Sequence, residues 1–200
     1  MSMKKSRFEK SAVIAAILLA SATTASTSAL AAVVCGPGSN VSVPENIDGV
    51  YYNLVTGVGA TSGGANAGWD VNMYSTGGTL FFFWPSSPAS SFGGVADGTG
   101  TNYAVLNSGA LIDGSSTFLV SSGGGGAGPY VNWLAGSTGN YLGVRFFNET
   151  AAAVNYGWIQ LDTTAPTGFP ATIVSYCYED SGAGITAGTT PVSLQSFSVD

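Results

Sequence analysis

Glycine falls every ten residues or so along this chain, from Gly36 to Gly188. A glycine inside a helix costs about 1 kcal/mol relative to alanine, so a chain punctuated this often cannot sustain long helices. Short strands joined by turns tolerate the same spacing well. The residues that favour helix surfaces are also scarce. Beyond residue 10, Lys and Arg together occur once, at Arg145, and Glu occurs three times. The pattern predicts an all-β chain folded as one antiparallel β-sandwich, jelly-roll or concanavalin-like.

Several segments carry strand periodicity. "VYYNLV" (50–55) lies between glycines, and "WDVNMY" (69–74) alternates. The alternation sets Trp69, Val71 and Met73 on one face and Asp70, Asn72 and Tyr74 on the other. "TLFFFWP" (79–85) is a continuous apolar run, as expected of a strand buried on both faces and stopped by proline. "NYAVLN" (102–107) and "STFLVS" (116–121) are shorter, while "YLGVRFFN" (141–148) and "VNYGWIQLD" (154–162) read as two arms of a hairpin. "ATIVSYCYED" (171–180) and "VSLQSFSV" (192–199) complete about nine strands, enough for two packed sheets.

The first residues follow a different logic. Lys4, Lys5, Arg7 and Lys10 precede the apolar run 12–20, and Ala29-Leu30-Ala31 fits a small-residue cleavage site. That order predicts a signal peptide over 1–31; the apolar run is only about half as long as a membrane span requires. The domain is then 32–200. It keeps one cation, Arg145, against ten acids, a formal charge of −9. Such a balance excludes nucleic acid as a partner, because phosphate contacts need Lys and Arg. It equally disfavours an anionic membrane surface. Export implies an oxidising compartment, so Cys35 and Cys177 are expected to pair.

Much chemistry is missing. The chain has no histidine, so triad hydrolysis and the commonest metal ligand are absent. No phosphate-binding glycine loop appears, and no cofactor is expected. "DGTGTN" (97–102) has oxygens for calcium but lacks a second strong carboxylate, and reads as an Asx-type turn. Paired carboxylates for glycoside cleavage remain open on composition alone, although most of the acids sit beside turn residues.

Two groups of residues stand out. If the 141–162 hairpin turns near Thr150 and Ala151, Arg145 faces Tyr156, with Glu149, Asp162 and Glu179 as candidate counter-charges. A planar guanidinium there would clamp strands together, with Tyr156 and Glu179 as its partners; the alternative is a ligand-binding arginine. The aromatics are the second group. Trp69 and Trp84 are expected in the core. Tyr130, Trp133 and Tyr141, beside the Gly-rich stretch 121–129, are the candidate ligand contacts.

The segments "LGVRFFNE", "NYGWIQL" and "SYCYEDSGAGITAG" resemble a GxRF…YGWxxL…YxYE…IxAG stretch in a group of secreted proteins of Gram-negative bacteria. Many of that group carry a C-terminal sorting signal after it. The resemblance spans nearly all of the chain beyond the signal peptide and carries no known activity with it. It implies that Arg145, Gly157, Trp158, Tyr178 and Glu179 form a shared structural unit. This sequence ends at "VSLQSFSVD" without an apolar helix and basic tail, so release or self-association is expected rather than retention by that route. Together these readings describe a secreted, non-enzymatic surface, matrix or filament component. It would contact itself or an extracellular glycan, with no membrane in its mature form. A carbohydrate-binding module is the alternative, and a glycosidase-like enzyme stands third.

Overall fold

The computed structural model describes residues 32–36, 40–120 and 130–191. The signal peptide expected over 1–31, the Gly-rich stretch 121–129 and the strand expected over 192–199 lie outside the described residues. Strands dominate the rest, and every strand pairing is antiparallel. They are β1 (Val33–Cys35), β2 (Val41–Val43), β3 (Val50–Asn53), β4 (Val58–Ala60), β5 (Val71–Thr76), β6 (Thr79–Phe83), β7 (Gly93–Val95), β8 (Leu111–Ile112), β9 (Phe118–Leu119), β10 (Tyr141–Asn148), β11 (Ala153–Asp162), β12 (Ala171–Glu179) and β13 (Ile185–Thr186).

Two sheets pack face to face as a β-sandwich. One has seven strands, ordered β1-β12-β11-β10-β7-β9, with β2 also on β12; the other has four, β4-β3-β5-β6. The residues that alternate inward from both sheets make one core. Tyr52, Met73, Leu80 and Phe82 come from the smaller sheet, and Leu142, Val144, Phe146, Ile159 and Ile173 from the larger. Tyr52 meets Tyr176 across the interface edge to face, with centroids 5.4 Å apart, an arrangement that ring quadrupoles favour.

The far side of the seven-stranded sheet is covered as well. Val95, Ile112, Trp158, Cys177 and Ile185 cluster there, under the small β8–β13 pair. Gly143 makes this cover fit: a Cβ at that position would come within 2.7 Å of Val95 and 2.8 Å of Leu106. Burial on both faces is why "YLGVRFFN" and "VNYGWIQLD" carry so few charges.

The β10–β11 hairpin turns where the sequence places it. Asn148 Oδ1 accepts the Thr150 and Ala151 amides at 3.0 and 3.1 Å, and Arg145 stands opposite Tyr156. Cys35 and Cys177 are direct partners in the β1–β12 ladder and are joined as a disulfide. That bond fits an oxidising compartment. Among the described residues, no helix is long and apolar enough to cross a membrane.

Three expectations need correction. "NYAVLN" forms no strand; Tyr103 and Leu106 make only isolated bridges. "TLFFFWP" is buried on both faces only as far as Phe82, with Leu80, Phe81 and Phe82 all buried; β6 is the edge of its sheet, and Phe83 is 44% exposed. Trp69 is outside the core. Asp70 takes the inward place instead, fully buried, with Oδ2 accepting the Leu54 amide at 2.7 Å. Gly68, at φ 71°, turns the chain just before Trp69, so regular alternation begins only at Val71.

Candidate functional site: an aromatic sheet face

The outward face of the four-stranded sheet is lined by rings. Tyr51, Asn72 and Phe83 form one row across β3, β5 and β6, and Tyr74 and Phe81 form the next. Side chains of cross-strand partners share a face, so these rows fix which rings meet. Trp69 folds onto the same face. It stacks on Phe83 with centroids 5.8 Å apart and planes 24° apart, and meets Tyr51 edge-on at 4.9 Å. Tyr74 lies against Phe81 at 5.4 Å, and Phe81 against Tyr130 at 4.3 Å.

The loop before β3 walls this face. Asn46 Oδ1 accepts the Asp48 and Gly49 amides, and the Asn46 carbonyl accepts the Ser75 amide at 2.8 Å. The resulting Asx turn lifts Ile47 out to 65% exposure. Asn72 ties the loop to the sheet, its Nδ2 donating to the Asp48 carbonyl at 3.0 Å. Between loop and sheet lies a cavity of about 190 Å³ lined by Ile47, Tyr51, Asn72, Tyr74 and Phe83. Asn72 is 2% exposed, yet its Oδ1 has no hydrogen-bond partner. A buried carbonyl left in that state costs about 1–3 kcal/mol. Burial and the neighbouring Tyr130 and Tyr51 hydroxyls push the Tyr74 phenol up, so it stays a neutral donor at physiological pH. Phe83 also borders a second, apolar concavity of about 360 Å³, shared with Trp84, Pro85, Phe92 and Val120.

The sequence-based ligand contacts fare differently. Tyr130 and Trp133 are 1% and 0% exposed, which rules them out as surface contacts. The turn of helix Val131–Leu134 swings both rings into the core, Tyr130 against Phe81 and Trp133 against Phe82. Tyr141 is half-buried on the opposite side of the molecule, edge-on to Trp158 at 5.0 Å. The three do not form one site. Tyr51, Tyr74 and Phe83 carry the face instead. For Tyr51 and Phe83 the signal was "YY" and "FFF": consecutive aromatics in a strand must put a ring on each side of the sheet.

Arg145 points away from the inter-sheet core, on the far face of the seven-stranded sheet. Its Nη2 donates to the Phe92 carbonyl at 3.1 Å, and its guanidinium lies 4.6 Å from the Phe118 ring centroid. Phe118 in turn stacks on Tyr156 at 5.9 Å. Arg145, Tyr156 and Glu179 stand in one cross-strand row. The Glu179 carboxylate, however, is spent on the following turn, accepting from the Ser181 amide and hydroxyl and the Ala183 amide. The cation therefore ties β10 to the Phe92 backbone and the Phe118 ring.

Asp97 and Asp113 are likewise committed to local turns. Asp97 accepts from Thr99, Asn102 and Asn132, and these bonds hold its carboxyl well below the usual range. Ser115 does the same for Asp113. Asp70 is the opposite case: burial pushes its pKa up, against the Leu54 amide, and the Glu149 charge adds to the rise. Among the described residues, no group of three His, Cys, Asp or Glu side chains is placed to hold a metal. No family model matches the chain, and neither a curated protein nor a solved structure matches it.

Proposed function

We propose that this protein works outside the cytoplasm as a non-catalytic contact protein, and that the outward face of the four-stranded sheet is its working surface. One observation carries the reading. Tyr51, Trp69 and Phe83 form one cluster of rings, Tyr74 lines the same concavity as Tyr51 and Phe83, and Ile47 and Val58 edge the face at 65% and 51% exposure. A clustered apolar surface rimmed by polar loops marks a site of interaction rather than chance exposure. The chain without histidine and the commitment of Asp97, Asp113 and Glu179 to turns support contact over turnover. The paired cysteines support an exported setting, as does the resemblance to exported proteins. In this reading the protein is a component of a cell surface or extracellular matrix.

The test compares the wild type with Ile47→Ser/Phe83→Ser. Both side chains are too exposed for their loss to affect folding much. Self-association by analytical ultracentrifugation and attachment to isolated cell envelopes are measured for each. The double variant should keep its far-ultraviolet spectrum and lose both associations. Undiminished association by the folded variant would refute this surface.

A further inference from the structure

We infer that the concavity between Ile47 and the sheet binds a quaternary ammonium group, the trimethylammonium of a choline-type ligand, in a cage of Tyr51, Tyr74 and Phe83. This rests on the contact-face reading above and names its ligand class.

Three observations converge. First, the rings surround one point. Tyr51 and Phe83 flank Asn72 on the neighbouring strands, at the same level of the sheet, and Tyr74 stands two residues along β5 on the same face. All three line the concavity, and Ile47 walls it from the loop side. A cation is attracted to an aromatic face within about 6 Å of the ring centroid, and quaternary ammonium ligands are the ones such cages recognise. Trp69 stacks on Phe83 and meets Tyr51 edge-on, so both rings are held in place before a ligand arrives. The volume, about 190 Å³, equals roughly six waters at ~30 Å³ each, room for one such headgroup. Second, the floor offers no hydrogen-bond partner. Asn72 Nδ2 is spent on the Asp48 carbonyl, and Asn72 Oδ1 is sealed from solvent. A primary ammonium or a guanidinium would leave N–H groups unpaired there, at a cost. A trimethylammonium has no N–H to lose. Third, the charge selects a cation over a neutral group of the same shape. Asp48 follows Ile47 in the walling loop, and Glu45 Oε1 lies over the β5–β6 turn, 3.4 Å from where a Cβ on Gly78 would stand. Both acids are exposed. The one cation of the chain beyond residue 10, Arg145, sits on the far face of the other sheet, so nothing nearby offsets their field.

Ligand-observed NMR titration of the purified protein with choline tests this. The control for shape is the neutral carbon analogue of choline, in which a tert-butyl group replaces trimethylammonium; ethanolamine is the control for a cation that carries N–H groups. Choline should bind with millimolar affinity and outbind both. Phe83→Leu keeps an exposed apolar side chain and removes one ring. It should weaken choline about fivefold, the loss of one cation–π contact, and leave the neutral analogue unchanged. Glu45→Gln/Asp48→Asn, two exposed substitutions, should weaken choline about twofold and flatten its dependence on salt. Co-sedimentation with phosphatidylcholine vesicles distinguishes the two sources of the group: binding to both choline and vesicles assigns a lipid headgroup, and binding to choline alone assigns a free solute. Equal affinity for the neutral analogue, choline affinity unchanged in Phe83→Leu, or no binding of choline overturns the inference. Should choline fail while Ile47→Ser/Phe83→Ser still loses self-association, the face remains a contact surface and only the ligand class falls. Should both fail, both readings fall.

Discussion

Replacing Asp70 by Asn removes a carboxylate that burial holds well above its ordinary pKa. Asp70 is fully buried, and desolvation raises its pKa well above the ordinary value, with the Glu149 charge adding to the effect. The folded protein therefore holds a proton that the unfolded chain, titrating near ~3.9, releases earlier. The sign follows from linkage. The stability contributed by the protonated group is complete below about pH 4 and is lost as pH rises through the folded-state value. Across that window one group changes stability by about 1.4 kcal/mol per pH unit. Asn titrates nowhere in this range, so the gap between variant and wild type should widen in the variant's favour by that slope, then level off. Losing a partner for the new amide nitrogen adds a constant offset, so the slope is the readout. Glu149→Gln should bring the levelling point to lower pH. Urea denaturation between about pH 4 and 8, followed by the fluorescence of buried Trp84, Trp133 and Trp158, measures it. Parallel wild-type and Asp70→Asn curves would refute the reasoning.

The acid limb has the opposite sign. The depressed Asp97 and Asp113 pKa values contribute stability above about pH 4 that is lost as pH falls, so Asp97→Asn should flatten the loss below pH 4 in the same titration. Cys35→Ala/Cys177→Ala opens a closure spanning 142 residues, and should cost about 5 kcal/mol by chain entropy; a denaturation midpoint insensitive to reductant would contradict this. Gly143→Ala forces a Cβ against Val95 and Leu106 and should cost ~1–3 kcal/mol, whereas Gly64→Ala, with open space around it, should be near neutral by thermal melting. Arg145→Met should destabilise more than Arg145→Lys, because lysine keeps a charge that the Phe92 carbonyl and the Phe118 ring both favour, losing only the planar fork.

What the sequence revealed depended on length of period. β10, β11 and β12 are eight to ten residues long, so alternation identified all three, and the turn expected near Thr150 and Ala151 set the register of β10 on β11. β1, β2 and β7 have three residues each, and β8 and β13 two; no period exists over such spans, and only the tertiary fold creates them, while the expected "STFLVS" strand survives as the two residues of β9. Phe118 became the partner of Arg145 through the β7–β9 pairing, which no local signal announces. The inversion at Trp69 and Asp70 has the same origin. It depends on an amide of Leu54, in the turn that follows β3, and a simple alternation rule places both residues on the wrong side. Tyr130 and Trp133 misled through their neighbourhood: a Gly-rich stretch precedes them, but one helical turn buries them. The working face was only half legible, since "YY" and "FFF" guarantee outward rings without showing that Trp69 and Ile47 would join them.

Hydroxyl-radical footprinting of the protein, free and attached to cell envelopes or a polysaccharide, addresses the working surface directly. Tyr51, Trp69, Tyr74 and Phe83 should be modified in the free protein and protected when it is attached. Trp84, Trp133 and Trp158, buried throughout, should stay unmodified in both states. Protection confined to Leu111, Val120 and the Arg145 side of the molecule, with Phe83 still reactive, would contradict the account.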